Sequence, residues 1–396
     1  MPPVCPKLGV FQLKNFEKLV NRLIGKLFIF SFLHTFPFSK NYFSVCSFIK
    51  LCVNRLIAAL FMFLPLLPKS TKKQIFRKNR FFIAFLLSLL YNELIAFYRD
   101  GVFLRMLDFI INERAGNGKA LSAKNQIQKI LEEKGIPHRF HFTERSKHAI
   151  EISREICLAG GTDVIAMGGD GTMNEVLNGL TNLETVRYGI IPCGSGNDFA
   201  GSANIPLDVS AALDIILNGT TKPTDFLVCD GVRGLNAIGT GIDVEILRRC
   251  EKSKILKGKL KYFNSLLISL IKFKFYEFFN EKLPPEQKKA RKTLIVCCGN
   301  GKKIGGGIPI CPEASIDDGK MDLVIVNELK RIRIPGALIK LMKGKILKED
   351  FCDFSLEDDV SFSFPNSPAI QIDGEIYENL KFDIHVEKGK LNLYRP

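Results

Sequence analysis

Two glycine-rich loops, each carrying an acid, supply the residue types that phosphoryl chemistry requires. The first is Gly168-Gly169-Asp170-Gly171-Thr172-Met173-Asn174-Glu175, preceded by the short apolar run Asp163 to Met167. Its glycines let backbone N–H groups approach a polyanion that a Cβ would keep away. A helix opening near Asn174 would add its N-terminal dipole, so a nucleotide phosphate fits there. A carboxylate at Asp170 repels a bare phosphate; it makes sense with a divalent cation or a transferred hydroxyl in between. The second loop, Cys193-Gly194-Ser195-Gly196-Asn197-Asp198-Phe199-Ala200, is fed by the run Tyr188 to Pro192. Two such loops one helix apart would bring Asp170 and Asp198 to the same phosphate tail. For the first loop taken alone, a glycine turn with a capping Asp is the simpler alternative.

Loops of this kind need a sheet that presents them at one edge. Leu107 to Asn112 reads as a first strand, Leu121 to Lys134 as an amphipathic helix stopped by Gly135, and Arg139 to Thr143 as a second strand. His148 to Leu158 reads as another helix before the strand that carries Asp170. Strands alternating with helices imply an α/β domain with a parallel sheet covered on both faces, over residues 106–229. From Asp225 onward the pattern changes to short strands: Leu227 to Cys229, Asn236 to Gly239, Leu294 to Gly299, Asp322 to Val326, Asp359 to Phe364, Ala369 to Ile372 and Phe382 to Glu387. Residues 230–396 therefore read as a mostly antiparallel β domain, with helices around Tyr262 to Phe275 and Pro335 to Lys343. The site is expected in the cleft between the two domains.

Four further blocks give the chain a family resemblance. Asn112-Glu113-Arg114-Ala115-Gly116-Asn117-Gly118 precedes the two loops; Gly305-Gly306-Gly307-Ile308, Pro312 to Met321 and Gln371-Ile372-Asp373-Gly374-Glu375 follow them. From about Met106 onward the chain resembles the diacylglycerol-kinase catalytic family, which includes bacterial soluble lipid kinases and is related to sphingosine and ceramide kinases. The resemblance implies a nucleotide-binding domain like those of NAD kinases and phosphofructokinases. It also implies an ATP-dependent lipid kinase acting on a hydroxyl of diacylglycerol or a similar long-chain alcohol. ATP would be held by Asn112, Gly116, Thr143, Gly168, Gly169, Gly171, Thr172, Asn174 and Ser195, within loops that include Asn197. Asp170 and Asp198 would organise magnesium (Mg2+) and water at the phosphates. Glu375 stands where the family places the proton acceptor, with Asp373 beside it and Asp170 as a third catalytic carboxylate. A second magnesium ion would take the Asp318 carboxylate with the carbonyls of Ser315 and Lys320, an oxygen set that suits this ion. One departure stands out: Glu113 occupies the place of the family's proline. For Asp373-Gly374-Glu375 and for Asp317-Asp318 the structural alternatives are a hairpin turn and a tight turn between strands.

Charge is distributed unevenly. Residues 1–105 hold 16 Lys/Arg against 3 Asp/Glu, whereas the remaining 291 hold 40 against 38. The same front segment carries 17 of the 32 Phe. A nearly neutral body thus follows a basic, aromatic extension, which argues against nucleic acid as a partner. Its apolar stretches, Leu56 to Leu67 and Phe81 to Leu90, are shorter than the about 20 residues of a plain membrane span. An interfacial anchor, a disordered segment and a spurious early start all fit residues 1–105. Eleven cysteines without a CxxC pair point to free thiols in a reducing compartment rather than to zinc. His138, His141 and His148 lack metal-ligand spacing. The expected setting is cytoplasmic, peripheral to the inner face of the cell membrane, with a membrane lipid as substrate; a homodimer is open. Two other readings exist. One is a soluble-substrate kinase of the NAD-kinase type, which shares Gly-Gly-Asp-Gly but not the full second loop together with the late Asp-Gly-Glu. The other is a catalytically silent membrane-associated binding protein, supported by Glu113 and the basic front end.

Overall fold

The structure, a computed structural model, describes residues 105–252, 265, 268–269, 273–365 and 369–396. The extension before Arg105 and most of the helix expected at Tyr262 to Phe275 lie outside the described residues. Four strands build the first lobe: β1 (Leu107–Ile111), β2 (His138–Phe142), β3 (Asp163–Gly168) and β4 (Arg187–Pro192). They pair in parallel in the order β2-β1-β3-β4. Every residue of β1 and β3 is buried, the ion-paired Asp108 and Asp163 included, as expected of strands in a sheet covered on both faces.

Helices α1 (Lys119–Lys134), α2 (His148–Leu158), α3 (Asp170–Gly179), α4 (Asp198–Ser202) and α5 (Val209–Asn218) connect and cover these strands. In α1 the buried positions Ala120, Ala123, Ile127 and Leu131 form one stripe, and Gly135 closes the helix at φ 63°, a left-handed conformation that favours glycine. Helix α3 starts four residues earlier than the sequence pattern suggests, at Asp170 instead of Asn174. Only Gly169 thus separates β3 from α3, and the Asp170 carboxylate sits in the first helical turn, where the dipole favours it.

The second lobe comprises β5 (Thr221–Cys229), β6 (Val232–Gly234), β7 (Ala237–Gly241), α6 (Ile242–Lys252), β8 (Tyr276–Asn280), β9 (Arg291–Gly299) and β10 (Met321–Asn327). It continues with α7 (Ile334–Met342), β11 (Cys352–Glu357), β12 (Asp359–Ser363), β13 (Ile370–Ile372), β14 (Glu375–Tyr377) and β15 (Phe382–Tyr394). The pairings among these strands are antiparallel. Alternation along β9 feeds two cores: Ile295 and Cys297 enter one apolar cluster, Val296 and Cys298 the other.

Strand β15 ties the lobes together. Its first half pairs with β12, and along much of its length it runs against β5. Near its end, Asn392 and Leu393 pair in parallel with Arg187 and Tyr188 of β4. Leu391, Leu393 and Tyr394 accordingly join the core of the first lobe. Arg105, assigned by composition to the extension, belongs to this junction: its Nε donates to the buried Asp163 Oδ1 at 2.7 Å, while Arg187 and the Tyr394 hydroxyl hold the same carboxylate. Among the described residues no helix is long and apolar enough to cross a membrane.

Candidate active site

The loops leaving the C-terminal ends of β1 to β4 meet at one edge of the parallel sheet. Asn112 N donates to Met167 O at 3.1 Å, Thr143 N to Ile111 O at 2.9 Å, and Cys193 N to Gly168 O at 2.7 Å. Asn112 Nδ2 also donates to Thr172 Oγ1 at 3.3 Å, linking the first loop to the start of α3. The glycines divide into two kinds. A Cβ built on Gly194 would lie 2.4 Å from Gly169 Cα, so the two acid-bearing loops pack backbone on backbone. A Cβ on Gly171 would meet nothing within 4 Å, which leaves the first turn of α3 open for a ligand. Ser195 and Glu113 are exposed. The Asn197 side chain closes its own loop, accepting from Gly194 N at 3.0 Å and donating to Gly194 O at 3.0 Å.

Asp170 lies at the junction of these loops. Its Oδ2 accepts from Asn197 N at 2.7 Å and its Oδ1 from Phe199 N at 3.2 Å. Burial, then the neighbouring Asp198, push its carboxyl up to about 6, against the pull of those two N–H groups. Asp198 is buried as well, and its Oδ2 accepts from Gly306 N at 2.7 Å. A third glycine loop, from the second lobe, thereby completes the cradle. The sequence marked Gly305 to Gly307 as part of the resemblance without giving it a job.

From the opposite side comes Asp373. Asp373 and Gly374 form the two-residue link between β13 and β14, both at positive φ (48° and 89°), the geometry of an Asp-Gly hairpin turn. The hairpin turn expected as the structural alternative is present at these residues. The Asp373 oxygens accept from Leu235 N (2.6 Å), Asn236 N (2.8 Å), Ala237 N (2.9 Å) and Asn174 Nδ2 (2.7 Å). Burial raises its pKa, and the four donors oppose that rise. With its lone pairs committed, Asp373 is an anchor across the lobes. Glu375 opens β14 and is exposed; it stands outside the residues that line the cleft below.

Asp170, Asp198 and Asp373 line a cleft between the lobes with about 150 Å³ of free space. The residues present fit a nucleotide phosphate with a divalent cation. Gly171 leaves the room, and a cation would relieve the repulsion that raises the Asp170 pKa. Among the described residues no three His, Cys, Asp or Glu side chains converge as a ready-made cage, so phosphate oxygens and water would have to complete the shell.

The second proposed cation site is a turn packed against β5 and β15, where Ile316 enters the core of the first lobe and Arg395 Nη2 donates to Asp317 Oδ2 at 2.6 Å. Lys320 N donates to Asp318 Oδ1 at 3.0 Å and Ser315 Oγ to Asp317 Oδ1 at 2.7 Å, while the Lys320 ammonium turns away to Asp358 at 2.9 Å. Asp225, which sequence reasoning missed, is buried behind the turn and accepts from Gly319 N at 2.7 Å and Gly389 N at 2.6 Å. Asp322 adds a buried oxygen with no donor; burial, then Asp318 and Glu313, push its carboxyl up to about 6. This surplus of acid suits a cation. The three histidines do not converge: His141 Nε2 sits 2.8 Å from Asp108 Oδ1, His138 Nδ1 is 2.8 Å from Ile136 O, and His148 Nδ1 accepts from Glu144 N at 3.1 Å.

An apolar cavity adjoins the acidic cleft, unannounced by any local sequence pattern. It is lined by aliphatic side chains of α6, β9 and α7, such as Ile246, Leu294 and Leu338, with one charged residue, Asp243. Asp243 and Ile304 line both the cavity and the cleft. Asp243 is buried at the start of α6; its Oδ1 accepts from Val244 N at 2.9 Å, while Oδ2 lies beside the Gln371 amide without a well-formed hydrogen bond. Burial pushes its carboxyl up to about 7. Its only sequence signal is an acid in the first turn of a helix, which dipole capping explains equally well.

Comparison with known proteins places the chain in a family. Residues 106–229 match the family described as diacylglycerol kinase catalytic domain, and residues 236–395 match the YegS C-terminal NAD kinase beta sandwich-like domain. A Cronobacter sakazakii protein named "Probable lipid kinase YegS-like" is 30% identical over 289 residues, 71% of this chain and 94% of the relative. The diacylglycerol kinase of Bacillus subtilis is 27% identical over 278 residues, 67% of this chain and 90% of the relative. Among solved structures, a diacylglycerol kinase from Bacillus anthracis superposes with a TM-score of 0.56 at 19% identity, covering 74% of this chain and 97% of its own, a likeness of fold. The chain belongs to the diacylglycerol-kinase-type lipid kinase family, whose YegS-like members share both of its domains.

Proposed function

We propose that this protein transfers the γ-phosphate of ATP, with Mg2+, to the hydroxyl of diacylglycerol or a similar long-chain lipid alcohol, giving a phospholipid such as phosphatidic acid. One observation carries the reading: the acidic cleft and the aliphatic cavity share Asp243 and Ile304. A molecule with a polar head and an alkyl tail fills both at once, whereas a soluble acceptor such as NAD has no use for the cavity.

The chain's own groups divide the work. Backbone N–H groups of the glycine loops and the N-terminus of α3 hold the phosphates. Asp170 and Asp198 would hold the cation and its water, and magnesium bound there would supply positive charge that offsets phosphate charge during transfer. Asp373 keeps the second lobe registered on Asn174, so the acceptor side stays fixed relative to the donor side. The acceptor oxygen attacks the γ-phosphorus in line; its bond to the β–γ bridging oxygen breaks and ADP leaves. Glu375, at the exposed rim, takes the hydroxyl proton. Asp243 faces the acceptor head, where its spare oxygen receives or donates a hydrogen bond. The test is incubation with labelled ATP, magnesium and a panel of dispersed lipids alongside NAD. Label in a lipid is the expected result; label in NAD alone, or nowhere, would overturn the assignment.

A further inference from the structure

Helix α7 is apolar on the side that faces the core and apolar again on the side that faces out. Its nine residues, Ile-Pro-Gly-Ala-Leu-Ile-Lys-Leu-Met, contain one charge. Ile334, Ala337, Leu338 and Leu341, spaced as one helical face, line the aliphatic cavity. On the other side Ile339 is 56% and Met342 44% exposed, and Ile332 in the preceding turn is 86% exposed. A helix apolar all round is ordinarily buried, yet no residue of α7 is fully buried. Something outside the described residues is needed to cover it.

The flanking charge says what. From Lys330 to Lys348 the chain has seven Lys/Arg and no Asp or Glu. Arg333 and Lys340 reach sideways to Asp350 and Glu349, and Lys330, Lys343, Lys345 and Lys348 are exposed. An apolar helix face rimmed by lysines is the pattern that seats in the interface of an anionic bilayer. We propose that the outward face of α7, with Ile332 and the surrounding lysines, docks on an anionic lipid surface. The helix is then the wall between bilayer and cavity, and an acyl chain passing it enters the cavity without crossing water. This inference rests on the reading of the acceptor as a membrane lipid.

The chain contains no tryptophan, so a single introduced indole reports on its own position. Ile339→Trp and Met342→Trp in the full chain are mixed with phosphatidylglycerol–phosphatidylcholine vesicles bearing brominated acyl chains. The control is Leu158→Trp, at a site 75% exposed on the first lobe. Docking predicts quenching and a blue shift at positions 339 and 342 but not at 158. It also predicts an affinity loss of about fivefold for each of Lys343→Gln, Lys345→Gln and Lys348→Gln. Vesicle binding without quenching at 339 and 342 overturns the proposal and assigns contact to another segment. So does an indole already blue-shifted and protected before vesicles are added, which assigns the face to another part of the chain or to a second copy. Lipid phosphorylation in detergent micelles separates the two readings. Turnover there without quenching sinks the docking alone; quenching with no lipid phosphorylated in any medium supports the docking and sinks the proposed acceptor.

Discussion

Replacing Asp170 by asparagine should change how stability depends on pH, and by an amount that can be worked out. The carboxyl titrates at about 6 in the folded protein against an ordinary value of 3.8. Because the folded value is raised, the folded state holds its proton longer than the unfolded chain. Wild type therefore loses stability as pH climbs from the unfolded value through the folded one. Between about pH 5 and about pH 7.5 the linked loss is about 1 kcal/mol. Asparagine cannot titrate, so the unfolding free energy of Asp170→Asn minus that of wild type should grow by this amount over the same interval. The comparison is insensitive to the constant cost of the exchange, in which one of the N–H groups of Asn197 and Phe199 faces an amide NH2 instead of an oxygen. Urea melts at the two pH values give the difference directly, with phosphoryl transfer expected to fall at least about a hundredfold in parallel. Parallel pH–stability curves for the two proteins would refute the argument that burial beside Asp198 strains this carboxylate.

Three further outcomes follow from the site. Glu375→Gln should abolish transfer to the lipid while leaving ATP affinity within about twofold, because Glu375 lies apart from the phosphate loops; equilibrium nucleotide binding beside a turnover assay checks this. Gly171→Ala should keep or raise the melting temperature, since a Cβ meets nothing there and alanine favours the helix by up to about 1 kcal/mol, yet weaken ATP binding; Gly194→Ala, whose Cβ would strike Gly169, should lower the melting temperature. Leu338→Trp, which fills the aliphatic cavity, should reduce kcat/KM for a long-chain acceptor by about tenfold or more, equivalent to ~1–3 kcal/mol of misfit, with KM for ATP unchanged. Equal loss with a short-chain acceptor would mean that the cavity does not house the tail.

The sequence exposed what depends on local pattern. Apolar runs ending in glycines located β1, β3 and β4, and the acids on the following turns proved to be neighbours because parallel strands deliver their ends to one edge. Asp-Gly at 373–374 was readable as a turn or as a site; the fold makes it a turn whose Asp373 lines the cleft as an anchor. What stayed hidden depends on contacts between distant residues. Nothing near Gly306 announces that its N–H caps Asp198, and nothing near Asp243 announces a boundary between oil and acid. The early start of α3 escaped because Gly171 reads as a breaker, although in place it is an ordinary helical residue. Asp225 carries no local signal of a site; only the fold puts it beneath the Asp318 turn.

Strand β15 has a consequence for anyone who cuts this chain at the border between its two family domains. The segment 106–229 lacks the pairing of Asn392 and Leu393 with β4, the long antiparallel partner of β5, and the Tyr394 hydroxyl on Asp163. An excised nucleotide lobe would expose two raw sheet edges, the kind that recruit strangers and precipitate. Sequence modules and folding units therefore do not coincide here, and the two lobes should melt in a single cooperative step.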